Sequence, residues 1–284
     1  SGGITNPNFQ VNVDGTNFFL KIPGAGTDFI DRNNCHIANE IASETGAGPK
    51  VYYYFEDTGV EVFEWLEGYR QVTWGNTYDE DIFNKIVKGI HDFHNIQGKT
   101  MPLKQTLFEQ AWQMIELAEK GGYEPMWHGR FLYLLDQIEK AVLKDGIDYK
   151  PCHNDFWSNN MMYSDEKQDL KIIDYEYASM NDPYNDLGCL AAINDFTDDK
   201  DVELCKAYHG CWDEKGFAKI KLYKIIADIK WGYWALQQCV NSDVDFDYMK
   251  WYGIKIGRLQ HFIVDPRLDI WLNTLNGKPV FRTK

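Results

Sequence analysis

Cys152-His153-Asn154-Asp155-Phe156-Trp157-Ser158-Asn159-Asn160, followed by Leu170-Lys171-Ile172-Ile173-Asp174-Tyr175-Glu176, is the stretch around which this chain is organised. The first half carries the spacing His-x-Asp-x-x-x-x-Asn. The second is a short apolar run that closes on a carboxylate. Phosphoryl transfer from ATP needs such a set: an acid to orient the substrate hydroxyl, then an amide and a second acid to hold Mg²⁺. Asp155 is expected to face the hydroxyl, and Asn160 and Asp174 the metal. The spacing keeps Asp155 and Asn160 in one loop, and a hairpin pairing residues 160–163 with 170–173 would bring Asp174 back beside them. A turn rich in Asn and Asp that merely satisfies its own backbone would account for the first half. It would not account for the apolar strand leading into Asp174.

Upstream, Gly2-Gly3-Ile4-Thr5-Asn6-Pro7-Asn8-Phe9 reads as a turn before two strand-like runs, 9–13 and 17–22, joined through the hairpin signal Asp14-Gly15. A glycine-rich turn between strands presents backbone N–H groups to phosphates. Lys21 lies on the second strand, within Phe18-Phe19-Leu20-Lys21-Ile22. A lysine in so apolar a strand is as a rule a solvated edge residue, but after a phosphate-type loop it stands where a kinase places the lysine for the α- and β-phosphates. A helix is expected over 27–44, ended by Gly46-Ala47-Gly48-Pro49, then strands over 51–55 and 60–65. Adenine would dock on backbone groups near Glu64 and Leu66.

The connector Glu64-Trp65-Leu66-Glu67-Gly68 leads into a helical remainder, with helices expected over 79–96, 103–120, 127–144, 184–196, 199–212, 217–240 and 248–263. On the first of these, residues 82, 83, 86, 87, 90 and 93 form an apolar face, and His91 and His94 are expected to pack rather than to bind a ligand. The expectation is an α+β, two-lobed, protein-kinase-like fold. A small β-rich ATP-binding lobe would occupy 1–66, and a larger, mainly helical lobe 67–284 would carry the catalytic loop and the substrate pocket.

Composition agrees with a folded enzyme. The chain has 284 residues, 44% of them hydrophobic, which is ample for a sizeable core. Its formal net charge of −14 argues against nucleic acid or anionic membrane as partners and is compatible with a cationic substrate. The six cysteines show neither a CxxC pair nor zinc spacing, so thiols in a reducing compartment are expected. No run is long and apolar enough to insert in a membrane, and no signal peptide is read. The chain opens on Ser1-Gly2-Gly3 without an initiator Met, which is consistent with a missing upstream segment; the expected location is cytoplasmic.

With these pieces in place, the chain resembles the choline/ethanolamine kinase family, particularly its bacterial choline kinase branch, within the aminoglycoside phosphotransferase-like group. The resemblance covers nearly the whole chain. It rests on Gly2 through Asn6, Lys21, Gly48-Pro49-Lys50-Val51-Tyr52, Glu64 through Gly68, His153-Asn154-Asp155 with Asn160, and Ile173-Asp174-Tyr175-Glu176-Tyr177. Met180-Asn181-Asp182-Pro183, Asp186-Leu187-Gly188 and Trp231-Gly232-Tyr233-Trp234 complete it. It implies that Asp155 is the catalytic base and that Asn160 and Asp174 are Mg²⁺ ligands, with Glu176 nearby. It further implies that Gly3, Thr5, Asn6 and Lys21 grip the ATP phosphates, and that Asp186 braces the catalytic loop.

The aromatics bear on the substrate. A trimethylammonium has no N–H to donate, so only cation–π contact and nearby negative charge can hold it. Trp231 and Trp234 are three apart on an expected helix and share a face. Phe246, Tyr248 and Trp251 follow in the order in which choline kinases place further cage aromatics, and Tyr177 matches another. Choline is therefore the expected substrate. Ethanolamine is the nearest alternative, an aminoglycoside the next, and a catalytically silent choline-binding protein with the same fold is the alternative from another class. Oligomeric state is not read from the sequence.

The chain departs from the family at one point. A glutamate that pairs the strand lysine usually follows Asp-Arg-x-Asn on the first helix. Here Asp31-Arg32-Asn33-Asn34 is followed by Cys35. A thiol does not replace that ion pair, and Glu40, five residues on, is turned well away from the same face. Either the pair is dispensable, another acid supplies it, or activity is reduced.

Overall fold

Asp14 and Gly15 both adopt positive φ, 50° and 83°, so the Asp-Gly step makes the two-residue turn that joins the first two strands. The structure is a computed structural model that describes residues 6–24, 27, 30–242 and 246–277. In chain order the elements are β1 (Asn8–Val13), β2 (Thr16–Lys21), α1 (Arg32–Thr45), β3 (Val51–Phe55), β4 (Val60–Glu64), β5 (Arg70–Gln71), α2 (Glu80–His94), α3 (Leu107–Lys120) and α4 (His128–Leu143). There follow β6 (Lys150–Cys152), β7 (Met161–Ser164), β8 (Asp169–Ile172), β9 (Ser179–Asn181), α5 (Tyr184–Ile193), α6 (Asp198–His209), α7 (Glu214–Asn241), α8 (Tyr248–Val264) and α9 (Arg267–Asn276). The chain forms two compact units, residues 1–104 with 150–180, and residues 105–149 with 181–284. The first takes in the stretch 1–66 and adds α2 and the segment from β6 to Met180. No helix among the described residues is long and apolar enough to cross a membrane.

The first unit is built on an antiparallel sheet of order β1-β2-β4-β3. Lys21 stands opposite Glu61 of β4 in its register. Helix α1 begins at Arg32 rather than at residue 27, because the Asp31 side chain accepts a hydrogen bond from the Asn34 N–H and caps it there. Glu61 is buried, and its carboxylate takes His36 Nδ1 at 3.0 Å and Asn39 Nδ2 at 2.8 Å, both from α1. After α1 the chain turns through Gly46, at φ 76°. At Gly48 a Cβ would lie 2.7 Å from that of Ala42, a close approach that only glycine allows.

Helix α2 buries Ile82, Phe83, Ile86, Val87, Ile90 and Phe93, the face expected from their spacing. At about 1.5–3 kcal/mol for each fully buried large apolar side chain, this face alone outweighs several weaker contacts. His94 is buried as expected, but the His91 side chain is 52% exposed. One residue past Ile90 rotates it about 100° around the helix, off the apolar face.

The second unit is arranged around α7, which is packed by α3, α4, α5, α6, α8 and α9. Helix α3 starts at Leu107, four residues later than expected, because Thr106 and Glu109 form a reciprocal capping box. A helix buried on almost every side needs its polar residues paired. Lys221 and Lys224 of α7 reach the fully buried Asp201, at 2.5 and 3.1 Å. Asp228 of α7 is held by Arg258, with Nε at 2.9 Å. Helix α5 approaches α7 so closely that a Cβ on Gly188 would lie 2.5 Å from Tyr223 Cβ. Helix α9 was not expected, since Trp271 and Leu275 alone form its buried stripe. None of the six cysteines forms a disulfide.

Candidate active site

The loop after β6 is fixed by three side chains before Asp155 is reached. His153 is fully buried, packed between the tilted rings of Phe156 and Tyr175 with ring centroids 4.8 and 4.5 Å away. Its Nε2 lies 2.9 Å from the Ile173 carbonyl and its Nδ1 3.2 Å from the Asp155 N–H. A carbonyl only accepts and an amide N–H only donates, so the neutral Nε2–H tautomer satisfies both. Asn154 sits at φ 66° and donates from Nδ2 to the Tyr177 carbonyl at 2.7 Å and to Ser179 Oγ at 2.8 Å. These contacts over-determine a left-handed conformation that is costly outside glycine. Asp155 follows, half-buried, on backbone it does not itself have to hold.

The hairpin forms with the expected pairing. Met161 faces Ile172 and Tyr163 faces Leu170, and beyond the strands the Ile173 N–H donates to the Asn160 carbonyl at 2.9 Å. Asn160 and Asp174 are thereby brought together, with Asp174 at φ 71°, a second strained residue where the chain leaves the strand. Asn160 Nδ2 donates to the Asp155 carbonyl at 3.0 Å and to Asp155 Oδ2 at 3.1 Å. That assignment leaves the amide oxygen of Asn160 as an acceptor, on the residue whose carbonyl pairs with the neighbour of Asp174. A pair of hard oxygen donors suits Mg²⁺.

Lys21 is in the same group. Its Nζ lies 2.7 Å from Asp174 Oδ1 and 3.4 Å from Glu176 Oε1, so it is not a solvated edge residue. Burial by itself would lower its pKa; the charges of Asp174 and Glu176 overcome this and raise it above the usual lysine value. Glu176 also accepts from Arg32 Nη1 at 2.9 Å and from Asn6 Nδ2. Asn6 is buried, and its Oδ1 accepts from the Gly24 N–H at 3.2 Å. Gly3 and Thr5 lie outside the described residues. Glu64 ends β4 and accepts from the Lys50 N–H at 2.9 Å, while the Leu66 carbonyl accepts from the Tyr69 N–H at 3.3 Å. Glu176 and Arg32 are the site residues that sequence reasoning left unassigned. Their one signal was the Cys35 departure, for which an acid from elsewhere was one of three alternatives left open.

Of the candidate cage residues, Tyr177 belongs to the first unit and the others to the second. In the second unit the rings run in contact: Trp231 to Trp234 at 5.6 Å and 77°, Trp234 to Tyr248 at 5.7 Å and 74°, Tyr248 to Phe246 at 5.0 Å, and Phe246 to Trp251 at 6.3 Å. Lys230 Nζ lies 3.9 Å from the Trp231 ring centroid and Lys255 Nζ 4.3 Å from that of Trp251. Trp231 is only 5% exposed and Tyr248 is buried, whereas Trp234 and Trp251 are half-buried. Asp186 is fully buried in the first turn of α5.

Comparison with known proteins places this arrangement. Residues 1–198 match the family described as choline/ethanolamine kinase. Protein LicA of Haemophilus influenzae is 22% identical over 247 residues, covering 82% of this chain and 70% of that protein. Ethanolamine kinase 2 of Rattus norvegicus is 25% identical over 282 residues, covering 88% and 70%. Among solved structures, a choline/ethanolamine kinase family protein from Mesorhizobium loti superposes with a TM-score of 0.81 at 22% identity, covering 97% of this chain and 94% of that one. LicA in complex with AMP does so at 0.72 and 24%, covering 92% and 90%. Aminoglycoside phosphotransferases share the fold more distantly, spectinomycin phosphotransferase at a TM-score of 0.59 and 13% identity, covering 97% and 91%. The fold is α+β and kinase-like, and the chain belongs to the choline/ethanolamine kinase family.

Proposed function

We propose that this protein transfers the γ-phosphoryl group of ATP to the hydroxyl of choline, with Mg²⁺. Asp155 orients the hydroxyl for in-line attack, and its loop, anchored through His153 and Asn154, holds the carboxylate in place without reorganisation. Lys21 and Asn6, with Gly3 and Thr5, take the nucleotide phosphates, and backbone near Glu64 and Leu66 takes the adenine. Asn160 and Asp174 would hold Mg²⁺, which when bound supplies positive charge against the charge developing on the transferred group.

The observation that carries the choice of choline is the run of rings Trp231, Trp234, Tyr248, Phe246 and Trp251, two of which already bear an ammonium of the chain itself on their faces. A surface of this kind suits a quaternary ammonium, which offers no hydrogen to an acceptor. Ethanolamine's primary ammonium is better hydrated and is poorly served by rings.

Release of ADP measured against choline, ethanolamine and kanamycin tests this directly. Choline is expected to give the highest kcat/KM. A preference for ethanolamine would assign the protein to the other activity in the family's name, and no turnover with any of the three would leave a choline-binding protein. Within the ring set, Trp234 is the informative residue. A desolvated cation–π contact is worth about 2 kcal/mol, so Trp234→Ala is expected to raise the KM for choline roughly thirty-fold and leave that for ATP unchanged. Unchanged choline kinetics would remove Trp234 from the site. Trp231→Ala is expected to cost about 3–5 kcal/mol of stability, because Trp231 is buried and a cavity replaces the ring.

A further inference from the structure

We propose that Glu176 supplies the acid that the family places at the position of Cys35, holding Lys21 for the nucleotide phosphates, and that Arg32 is a positioning residue that holds Glu176. This rests on the kinase reading above and adds to it a role for two residues outside the set already assigned.

Charge arrangement carries the inference. In protein kinases a strand lysine is held by a glutamate on the facing helix. In this chain the facing helix, α1, turns a cation toward the site instead. Lys21 Nζ from β2 and Arg32 Nη1 from α1 approach the same oxygen, Glu176 Oε1, at 3.4 and 2.9 Å, and Asn6 Nδ2 donates to that oxygen as well. Two cations so close repel unless an acid lies between them, and a carboxylate only 5% exposed is stable as an anion only when so paired. Glu176 thus joins Asn6, the lysine strand, the helix and the metal segment through one oxygen.

Among the described residues, Glu61, Glu40 and Asp174 are engaged elsewhere. Glu61 stands opposite Lys21 in the sheet, but His36 and Asn39 occupy its carboxylate. Glu40 is 52% exposed and faces His36 Nε2 at 3.6 Å. Asp174 touches Lys21 at 2.7 Å but is the proposed metal ligand, which leaves to Glu176 the role of holding the lysine. Cys35 does not compete: its Sγ donates to the Glu176 carbonyl at 3.6 Å, and burial pushes the thiol up to about 12.

ATP binding measured calorimetrically in EDTA separates this role from metal ligation, and steady-state kinetics with Mg²⁺ accompany it. Glu176→Gln is expected to weaken metal-free ATP binding tenfold or more, and to raise the KM for ATP more than it lowers kcat. Arg32→Gln is expected to act in the same direction to a smaller extent. Cys35→Glu is expected to gain nothing in the wild-type background, where Lys21 already has its acid, but to recover most of the lost affinity when combined with Glu176→Gln. Wild-type metal-free affinity in Glu176→Gln, no recovery in the double variant, or a gain from Cys35→Glu alone would each overturn the assignment. Wild-type affinity in Arg32→Gln would overturn the role of the arginine. If Glu176→Gln does not fold, Glu176→Asp, which keeps the charge and shortens its reach, carries the same comparison. Failure of the wild-type protein to bind ATP at all would instead sink the kinase reading.

Discussion

Asp155→Ala is expected to lower kcat by about a hundredfold or more while the protein still folds and binds ATP. The reason lies in how the loop is held. His153 is locked to the Ile173 carbonyl, and Asn154 to Tyr177 and Ser179, so the backbone at Asp155 does not depend on the Asp155 carboxylate. The substitution does remove the acceptor at Asp155 Oδ2, but Asn160 Nδ2 keeps the Asp155 carbonyl at 3.0 Å. What disappears is the group proposed to orient the hydroxyl. Single-turnover and steady-state ADP release, together with a melting curve, would check this. A variant retaining more than about a tenth of the wild-type rate would show that the base lies elsewhere.

The second large effect concerns stability and lies in the other unit. Asp201→Ala leaves the ammonium groups of Lys221 and Lys224 buried without the carboxylate they share. Lys221 keeps Asp198 at 2.7 Å and Lys224 the carbonyl of Phe196, so neither is wholly abandoned. Even so, one anion is lost between two cations that are 2% and 6% exposed, and burial already lowers the pKa of Lys224. Breaking a buried pair by removing one partner costs about 3–5 kcal/mol. For a unit of this size each kcal/mol lowers Tm by roughly 2–4 °C, so a fall of roughly 6–20 °C is expected in thermal unfolding followed by circular dichroism. Lys221→Met and Lys224→Met added to Asp201→Ala should return much of it, since nothing charged is then left to bury. A fall of less than about 2 °C in the single variant would mean that the two lysines reach water or other acceptors.

Residues read singly were reliable where local chemistry decides the outcome. Asp14-Gly15 imposes a tight turn whatever surrounds it, the period of residues 82 to 93 selects one face of a helix, and the apolar run before Asp174 pairs with the residues after Asn160. Helix starts at Arg32 and Leu107 were missed by a few residues because side-chain caps at Asp31 and Thr106, rather than hydrophobic periodicity, set them. The burial of Trp231 is a different matter: an aromatic stripe gives the face that is apolar but not what covers it.

The spacing of His153, Asp155, Asn160 and Asp174 was enough by itself to raise the expectation of a kinase fold and phosphoryl chemistry, because a loop and a two-stranded hairpin are short-range structures that spacing specifies. The acid beside Lys21 was beyond it. Glu176 lies 155 positions from Lys21 and 144 from Arg32, and no periodicity links strand, helix and hairpin across such separations. The sequence alone determined that an acid was missing at Cys35. Only the folded chain, by bringing two cations to one buried carboxylate oxygen, decided which acid stands in its place.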